Sequence, residues 1–176
     1  MKRKNIVIAL FVSLVVVIFL LIPTKSALVF YKENTDHIVA FLPLGPGDRF
    51  EITFTHSIHL TDVVERYHVT EESTIMQDEI IFESFGIGMP SNAEEGQTFE
   101  YKDGKYHIGN LNNEFESMKI RNGKTVSEHR LRWKYEDEPE DNMVWFNDYF
   151  EPGAWYTVKV DRLSLWEYLK GVKIDE

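Results

Sequence analysis

An uninterrupted apolar run near the N-terminus constrains this chain more than any other feature. Residues 5–22 read NIVIALFVSLVVVIFLLI and contain no charged side chain. As a helix, this run is about 27 Å long, close to the ~30 Å hydrocarbon core of a bilayer. Lys2, Arg3 and Lys4 precede the run, and Pro23 ends it. We therefore predict a single transmembrane helix in the cell membrane, with a cytoplasmic N-terminus and with the rest of the chain on the other side.

A signal peptide that is removed after export is the alternative interpretation of this segment. Thr24-Lys25-Ser26 places small residues at alternate positions, as cleavage sites do. However, the apolar run is longer than the ~7–15 residues of an ordinary signal peptide. We therefore favour an uncleaved membrane anchor over residues 1–26, followed by an extracytoplasmic domain over residues 27–176.

The composition of the predicted domain excludes some classes of function. Four of the 19 basic residues and none of the 29 acidic residues lie in residues 1–26, which leaves a net charge of −14 for residues 27–176. A domain this acidic repels phosphate backbones, so we predict no binding of nucleic acid. The chain has no cysteine, so disulfides, thiolate metal sites and cysteine nucleophiles are excluded.

Short alternating runs separated by turn residues dominate the chain after residue 26. Asp103-Gly104 and Asn122-Gly123 are both strong signals for tight hairpins. We predict an all-β fold, either an antiparallel β-sandwich or a β-barrel. The candidate strands are residues 27–31, 37–42, 50–58, 63–70, 75–85, 98–101, 106–108, 115–121, 130–135, 143–146 and 155–162.

One helix is predicted near the C-terminus. Ser164 and Glu167 have the spacing of a capping box, and Gly171 is placed to end the helix. We expect a short helix that closes the domain, and we favour this over a helix that lies in the membrane interface.

The predicted hairpin over residues 50–70 carries the most chemistry. Because side chains alternate along a strand, His56 shares an otherwise apolar face of its strand, as does Glu65. Pairing Ile58 with Val63 across the loop then places His56 directly opposite Glu65, with Cβ atoms about 4.5–5.5 Å apart. We therefore predict an imidazole–carboxyl pair inside the domain.

Three roles for this pair remain open. It can be structural, with Arg130 or Arg132 adding compensation for the buried carboxylate. It can belong to a binding site, with His56, Glu65 and Tyr67 as the polar groups of a mostly apolar pocket. It can also be an acid–base pair of an enzyme. We predict no metal site and no cofactor, because the strand pattern scatters the possible metal ligands over both faces and a loop.

A second candidate region follows the strand predicted to end at Phe85. Gly86 and Gly88 allow a bulge or a close approach of the backbone. The third glycine of a dinucleotide site and the Lys-Ser/Thr of a P-loop are missing, so we predict a structural bend rather than a phosphate site.

These segments resemble the DUF1850 family, which has no established activity. The resemblance rests on Thr55-His56-Ser57-Ile58, on the segment ERYHV at residues 65–69 and on FESFGIGMP at residues 82–90, and it covers about residues 28–163. It implies a small exported or anchored protein that acts with tripartite ATP-independent transporters of the TAXI solute-receptor type (TRAP-TAXI). The signature positions that it nominates are His56, Ser57, Glu65, Tyr67, Gly86 and Gly88, without assigning them a role, and we take them as the candidate binding residues.

Together, these observations favour a non-enzymatic, membrane-anchored accessory or ligand-binding module of a TRAP-TAXI-type uptake system. The expected partners are the membrane, through the N-terminal helix, transporter components and a small-molecule ligand. The alternatives are an enzyme that uses His56 and Glu65 and a cell-envelope interaction domain that uses the aromatic C-terminal third. Exposure of Trp145 and Trp155 would favour the last of these.

Overall fold

The computed structural model describes residues 2–85, 89–90, 92–135 and 141–175. Within them the chain forms helix α1 (Lys2–Leu21), eleven strands and helix α2 (Leu165–Lys170), with a 3-10 turn at Phe146–Asp148. The strands are β1 (Pro23–Lys32), β2 (Ile38–Leu42), β3 (Arg49–Thr55), β4 (Asp62–Val69), β5 (Ile75–Phe82), β6 (Thr98–Lys102), β7 (Lys105–Phe115), β8 (Met118–Arg121), β9 (Arg130–Lys134), β10 (Asn142–Trp145) and β11 (Trp155–Ser164).

The described strands form two antiparallel sheets. The smaller sheet has the order β2-β1-β11-β8, and the larger has the order β10-β9-β3-β4-β5-β7-β6. The predicted all-β fold is confirmed, and it is a sandwich because the two sheets stay separate instead of closing into a barrel. Alternation explains the packing, since the apolar side of each sheet must be covered by the other.

The main core lies between the two sheets. Leu28 and Phe30 from β1 and Val158 from β11 are fully buried on the side of the smaller sheet, and Ile52 and Leu131 are buried on the side of the larger sheet. Without cysteine, this packing stabilises the fold without covalent cross-links.

Helix α1 has the properties of a membrane span. The segment Arg3–Leu21 has a mean hydropathy of 2.7, and none of it is buried against the rest of the protein. A retained anchor and a signal sequence both have these properties. The next element, β1, starts at Pro23, so the first strand begins inside the range that the sequence assigned to the anchor.

One of the two predicted hairpin turns is confirmed and the other is wrong. Asp103 and Gly104 both have positive φ, 53° and 82°, and join the paired strands β6 and β7. Asn122 instead follows β8, which pairs with β11. The Asn122 side chain is buried and donates to Asn147 and to the Phe150 carbonyl, so it holds a long connection in place.

We name the end of the sandwich next to α1 the anchor end and the opposite end the far end. Pro23 pairs with Ser164, so β1 and β11 meet at the anchor end, where α1 ends and α2 begins. At the other end of β11, Trp155 pairs with Arg121 of β8. Gly123 follows and lies so close to Ser127 that a Cβ there would overlap it, and the Ser127 carbonyl accepts a hydrogen bond from Thr55. The end of β3 therefore lies at the far end of the sandwich.

Candidate functional site

The β3–β4 hairpin has a different register from the predicted one. Thr55 lies opposite Asp62, and Ile52 lies opposite Glu65. The assignment of faces is correct, but the partner of Glu65 is shifted by four residues along β3. The predicted pairing of His56 with Glu65 is therefore wrong, because His56 lies beyond the last paired residue of its strand.

The connection between β3 and β4, which we name the far-end loop (residues 56–61), is closed by its own hydrogen bonds. The His56 amide donates to the Thr61 carbonyl (2.8 Å), and the Leu60 amide donates to the His56 carbonyl (2.9 Å). The His56 Nδ1 accepts from the amides of Ile58 and His59, at 3.3 and 3.4 Å. The imidazole thus caps its own loop, in the way that Asx side chains do in turns.

The far-end loop exposes two large apolar side chains. Ile58 is 62% exposed and Leu60 is 65% exposed. Leu60 also has a φ of 55°, in the left-handed region that L-residues with bulky side chains rarely occupy. Strained backbone clusters at functional sites, so the far-end loop is a candidate contact surface.

Relief of this strain gives a first testable expectation. Leu60→Asn should raise the free energy of unfolding by up to about 1 kcal/mol, because asparagine tolerates the left-handed conformation better than leucine does. Ile58→Asn is the matched control, since it makes the same change in polarity at a position without positive φ. Denaturant unfolding of both variants measures the difference. Equal effects at the two positions would contradict a strained Leu60.

An ion pair fixes the base of the far-end loop. The Thr55 hydroxyl donates to the Asp62 carboxylate (3.0 Å), and Arg130 Nη2 lies 2.7 Å from the same carboxylate. Burial alone raises the pKa of Asp62, but the ion pair with Arg130 and the hydrogen bond from Thr55 outweigh it and lower this pKa. The Arg130 guanidinium also lies over the ring of Trp145, 5.4 Å from its centroid.

The predicted role of Arg130 or Arg132 beside Glu65 is therefore wrong. Arg130 is occupied by Asp62, and Arg132 lies on the opposite face of the larger sheet, with Nε 3.9 Å from the Glu51 carboxylate. Sequence reasoning missed the pair of Asp62 with Arg130. The sequence signal for it was that two polar residues, Thr55 and Asp62, flank the far-end loop.

Glu65 lies on the inner face of β4 and bonds to its neighbour on that face. The Tyr67 hydroxyl donates to Glu65 Oε2 at 2.8 Å, and the Tyr67 ring stacks on Phe50 with centroids 5.1 Å apart. Burial raises the pKa of Glu65, and the Tyr67 bond offsets only part of that rise. Burial and the adjacent carboxylate also raise the pKa of Tyr67. The predicted carboxyl on an apolar face exists, with a phenol as its partner instead of an imidazole.

A second polar group that the sequence did not single out is His129. Its ring stacks on Phe54 (centroids 5.6 Å apart) and packs at a tilt against Phe146 (5.3 Å), and its Nδ1 accepts from the Gly123 amide at 3.4 Å. Burial lowers the pKa of His129 to about 4. The imidazole is therefore neutral at physiological pH, and it contributes to packing rather than to charge.

The outer face of the larger sheet carries a row of paired charges. Arg66 lies between Glu51 (3.2 Å) and Glu79 (2.7 Å), and His107 Nδ1 lies 3.0 Å from Glu79. Cross-strand pairs of this kind stabilise neighbouring strands. Arg66, Glu51 and Glu79 contribute to an open groove of about 680 Å³. Its lining residues are Arg49, Phe50, Glu51, Arg66, Tyr67, Asp78, Glu79, Arg132, Trp133, Lys134 and Asp141.

A family model decides the relationship of this chain to known proteins. The model for the Domain of unknown function (DUF1850) matches residues 50–139. The chain belongs to the DUF1850 family. This confirms the resemblance that the sequence indicated. No curated protein and no solved structure matches the chain.

The DUF1850 match begins at Phe50 in β3 and ends just after β9, so it includes the far-end loop, Glu65 and Tyr67. Of the predicted binding residues in the described part of the chain, Tyr67 alone lines the groove, although its side chain is buried on the inner face, whereas His56 and Ser57 lie in the far-end loop. Gly86 and Gly88 lie outside the described residues, as does most of the acidic segment at residues 136–141. Among the described residues, no three His, Asp or Glu side chains converge on a possible metal position.

Proposed function

We propose that this DUF1850 protein is a membrane-anchored extracytoplasmic accessory module whose far-end loop binds a protein component of a TRAP-TAXI-type uptake system. The observation that carries the proposal is the exposed pair Ile58 and Leu60, at the end of the sandwich opposite the anchor. The loop is ordered by His56 and strained at Leu60, so it is built to present these two side chains. Pre-ordering of a contact loop lowers the entropy cost of binding.

The arrangement of α1 and β1 supports the anchoring part of this proposal. A single residue, Ile22, separates the end of α1 from the start of β1. A retained α1 therefore holds the sandwich at the membrane with no flexible linker between them. The basic cluster at residues 2–4 favours a cytoplasmic N-terminus and an extracytoplasmic sandwich.

A binding role is better supported than the enzymatic alternative. That alternative needed His56 and Glu65 as an acid–base pair, but His56 caps the loop and Glu65 bonds to Tyr67. In the ligand-binding form of the proposal, the open groove over the row of paired charges is the place for a small molecule. Native mass spectrometry of the purified protein would reveal a molecule that stays bound there.

Co-purification from native membranes tests the proposal. We expect transporter components to be recovered with the wild-type protein, and recovery to fall about tenfold for the double variant Ile58→Ser, Leu60→Ser, which corresponds to about 1.4 kcal/mol of lost binding free energy. Tyr101→Ser is the control, because Tyr101 is an exposed aromatic residue on the edge strand β6. The melting temperatures of all variants should be compared, so that a loss of folding is not mistaken for a loss of binding.

Two results of this experiment would contradict the proposal. One is recovery of the wild-type protein with no transport component above background. The other is equal recovery with wild-type protein and with the double variant.

The exposed tryptophans favour a second candidate function, interaction with another part of the cell envelope. Trp145 and Trp155 are 41% and 44% exposed, and each has an arginine over its ring, Arg130 and Arg121 respectively. Both lie at the far end of the sandwich. If these residues bind insoluble envelope material, the wild-type protein sediments with it, and the double variant Trp145→Ala, Trp155→Ala stays in solution after detergent extraction.

A further inference from the structure

The outward side of α2 is apolar. Trp166 is 52% exposed and Leu169 is 67% exposed, and Val172 just beyond the helix is also exposed. The opposite side of the helix packs on the smaller sheet, where the Tyr168 ring lies 5.1 Å from that of Phe41. The helix thus closes the domain with one side, as predicted, and presents large apolar residues with the other.

This apolar side lies at the anchor end of the sandwich. Ser164, which caps α2, is paired with Pro23 at the start of β1. Helices α1 and α2 are in contact, and the exposed Ile22 lies between α1 and β1. The apolar surface of α2 is therefore continuous with the apolar surface of the proposed membrane span.

The charges around this surface suit a lipid headgroup region. Lys25, Lys170 and Lys173 are exposed there, and the Lys170 Nζ lies 5.6 Å from the Trp166 ring centroid. The nearby carboxylate of Glu167 is occupied by the capping box, since it accepts from the Ser164 amide at 2.8 Å.

We propose that Trp166, Leu169 and Val172 insert into the interface of the bilayer that α1 spans. Tryptophan prefers the boundary between headgroups and acyl chains, and lysine can place its aliphatic stem there while its ammonium group reaches the phosphates. The inserted surface holds the sandwich in one orientation on the membrane. This inference rests on the proposed anchoring by α1.

Brominated lipids, which quench tryptophan fluorescence on contact, provide the test. The full-length protein is reconstituted in vesicles that contain them, and the wild-type emission is expected to be quenched. Trp166→Phe should remove at least half of the quenching. Trp155→Phe is the matched control and should leave the quenching unchanged, because Trp155 lies at the far end of the sandwich.

An alkaline wash of the same vesicles separates this inference from the anchoring on which it rests. Protein that stays with the washed vesicles but shows equal quenching in wild type and Trp166→Phe overturns the interfacial role of α2 alone. Release of the protein by the wash overturns the anchoring as well.

Discussion

His129→Phe is expected to make the free energy of unfolding fall less on acidification than it does in the wild-type protein. The difference should be about 2 kcal/mol, a value that is discounted for the solvent-exposed part of the ring. The folded-state pKa of His129 is lowered from 6.5 to about 4 by burial. Below pH 6.5 the unfolded chain therefore binds a proton that the folded protein does not bind. The free energy of unfolding contributed by this site is complete above pH 6.5 and falls as the pH drops towards 4.

The measurement is the free energy of unfolding by denaturant at a series of pH values between 4 and 7. Val29→Ala serves as the control, because it truncates a buried side chain in a core cluster that does not contain Phe146 and changes no ionisable group. We expect this control to lower stability by a similar amount at every pH. A His129→Phe profile parallel to the wild-type profile would show that other groups cause the acid sensitivity.

Glu65→Gln is expected to raise the free energy of unfolding at neutral pH by about 1 kcal/mol, because a half-buried carboxylate is costly and a neutral amide is less so. The amide oxygen can still accept the hydrogen bond from Tyr67. The raised pKa of Glu65 gives the opposite sign to that of His129. Stability is lowest when Glu65 is ionised, and it increases as the pH falls through the raised native pKa.

Tyr67→Phe is the informative counterpart of this variant. It removes the hydroxyl that donates to Glu65, so it should destabilise the wild-type protein at neutral pH, but should cost less in the Glu65→Gln background. Unfolding of the four proteins of this double-mutant cycle at neutral and acidic pH measures the coupling. A Glu65→Gln protein that is less stable than wild type at neutral pH would mean that the carboxylate is needed for the fold.

Because His129 and Glu65 oppose each other on acidification, the wild-type profile alone cannot separate them. The single variants do so, since each removes one titrating group and leaves the other.

The parts of the fold that depend on periodicity were predictable from the sequence. The faces of β3 and β4, the Asp103-Gly104 turn and the Ser164–Glu167 capping box follow from spacing and turn chemistry that act over a few residues. The hairpin register was not predictable in this way. The register depends on where the chain turns. The hydrogen bonds within the far-end loop place the turn directly after Thr55, at His56.

Long-range partners account for the remaining errors. Asn122-Gly123 has the sequence of a hairpin turn, but it does not form one. The Asn122 side chain instead donates hydrogen bonds to Asn147 and to the Phe150 carbonyl. The arginine that the sequence assigned to Glu65 pairs with Asp62, and His129 is buried by aromatic rings from two different segments. The pattern of residues around Asn122 and His129 does not indicate these partners, and Thr55 and Asp62 indicate a polar pair at the loop but not that Arg130 completes it.

Because Ile22 alone separates α1 from β1, the length of β1 bears on how far the far end of the sandwich lies from the proposed membrane span. β1 has 10 residues, and at ~3.3 Å per residue it is about 33 Å long. With α1 as the proposed membrane span and β1 upright on it, the loop that carries Ile58 and Leu60 stands roughly 3 nm above the lipid surface. Under the proposed anchoring, a protein that contacts this loop must extend about as far from the lipid surface as the sandwich does.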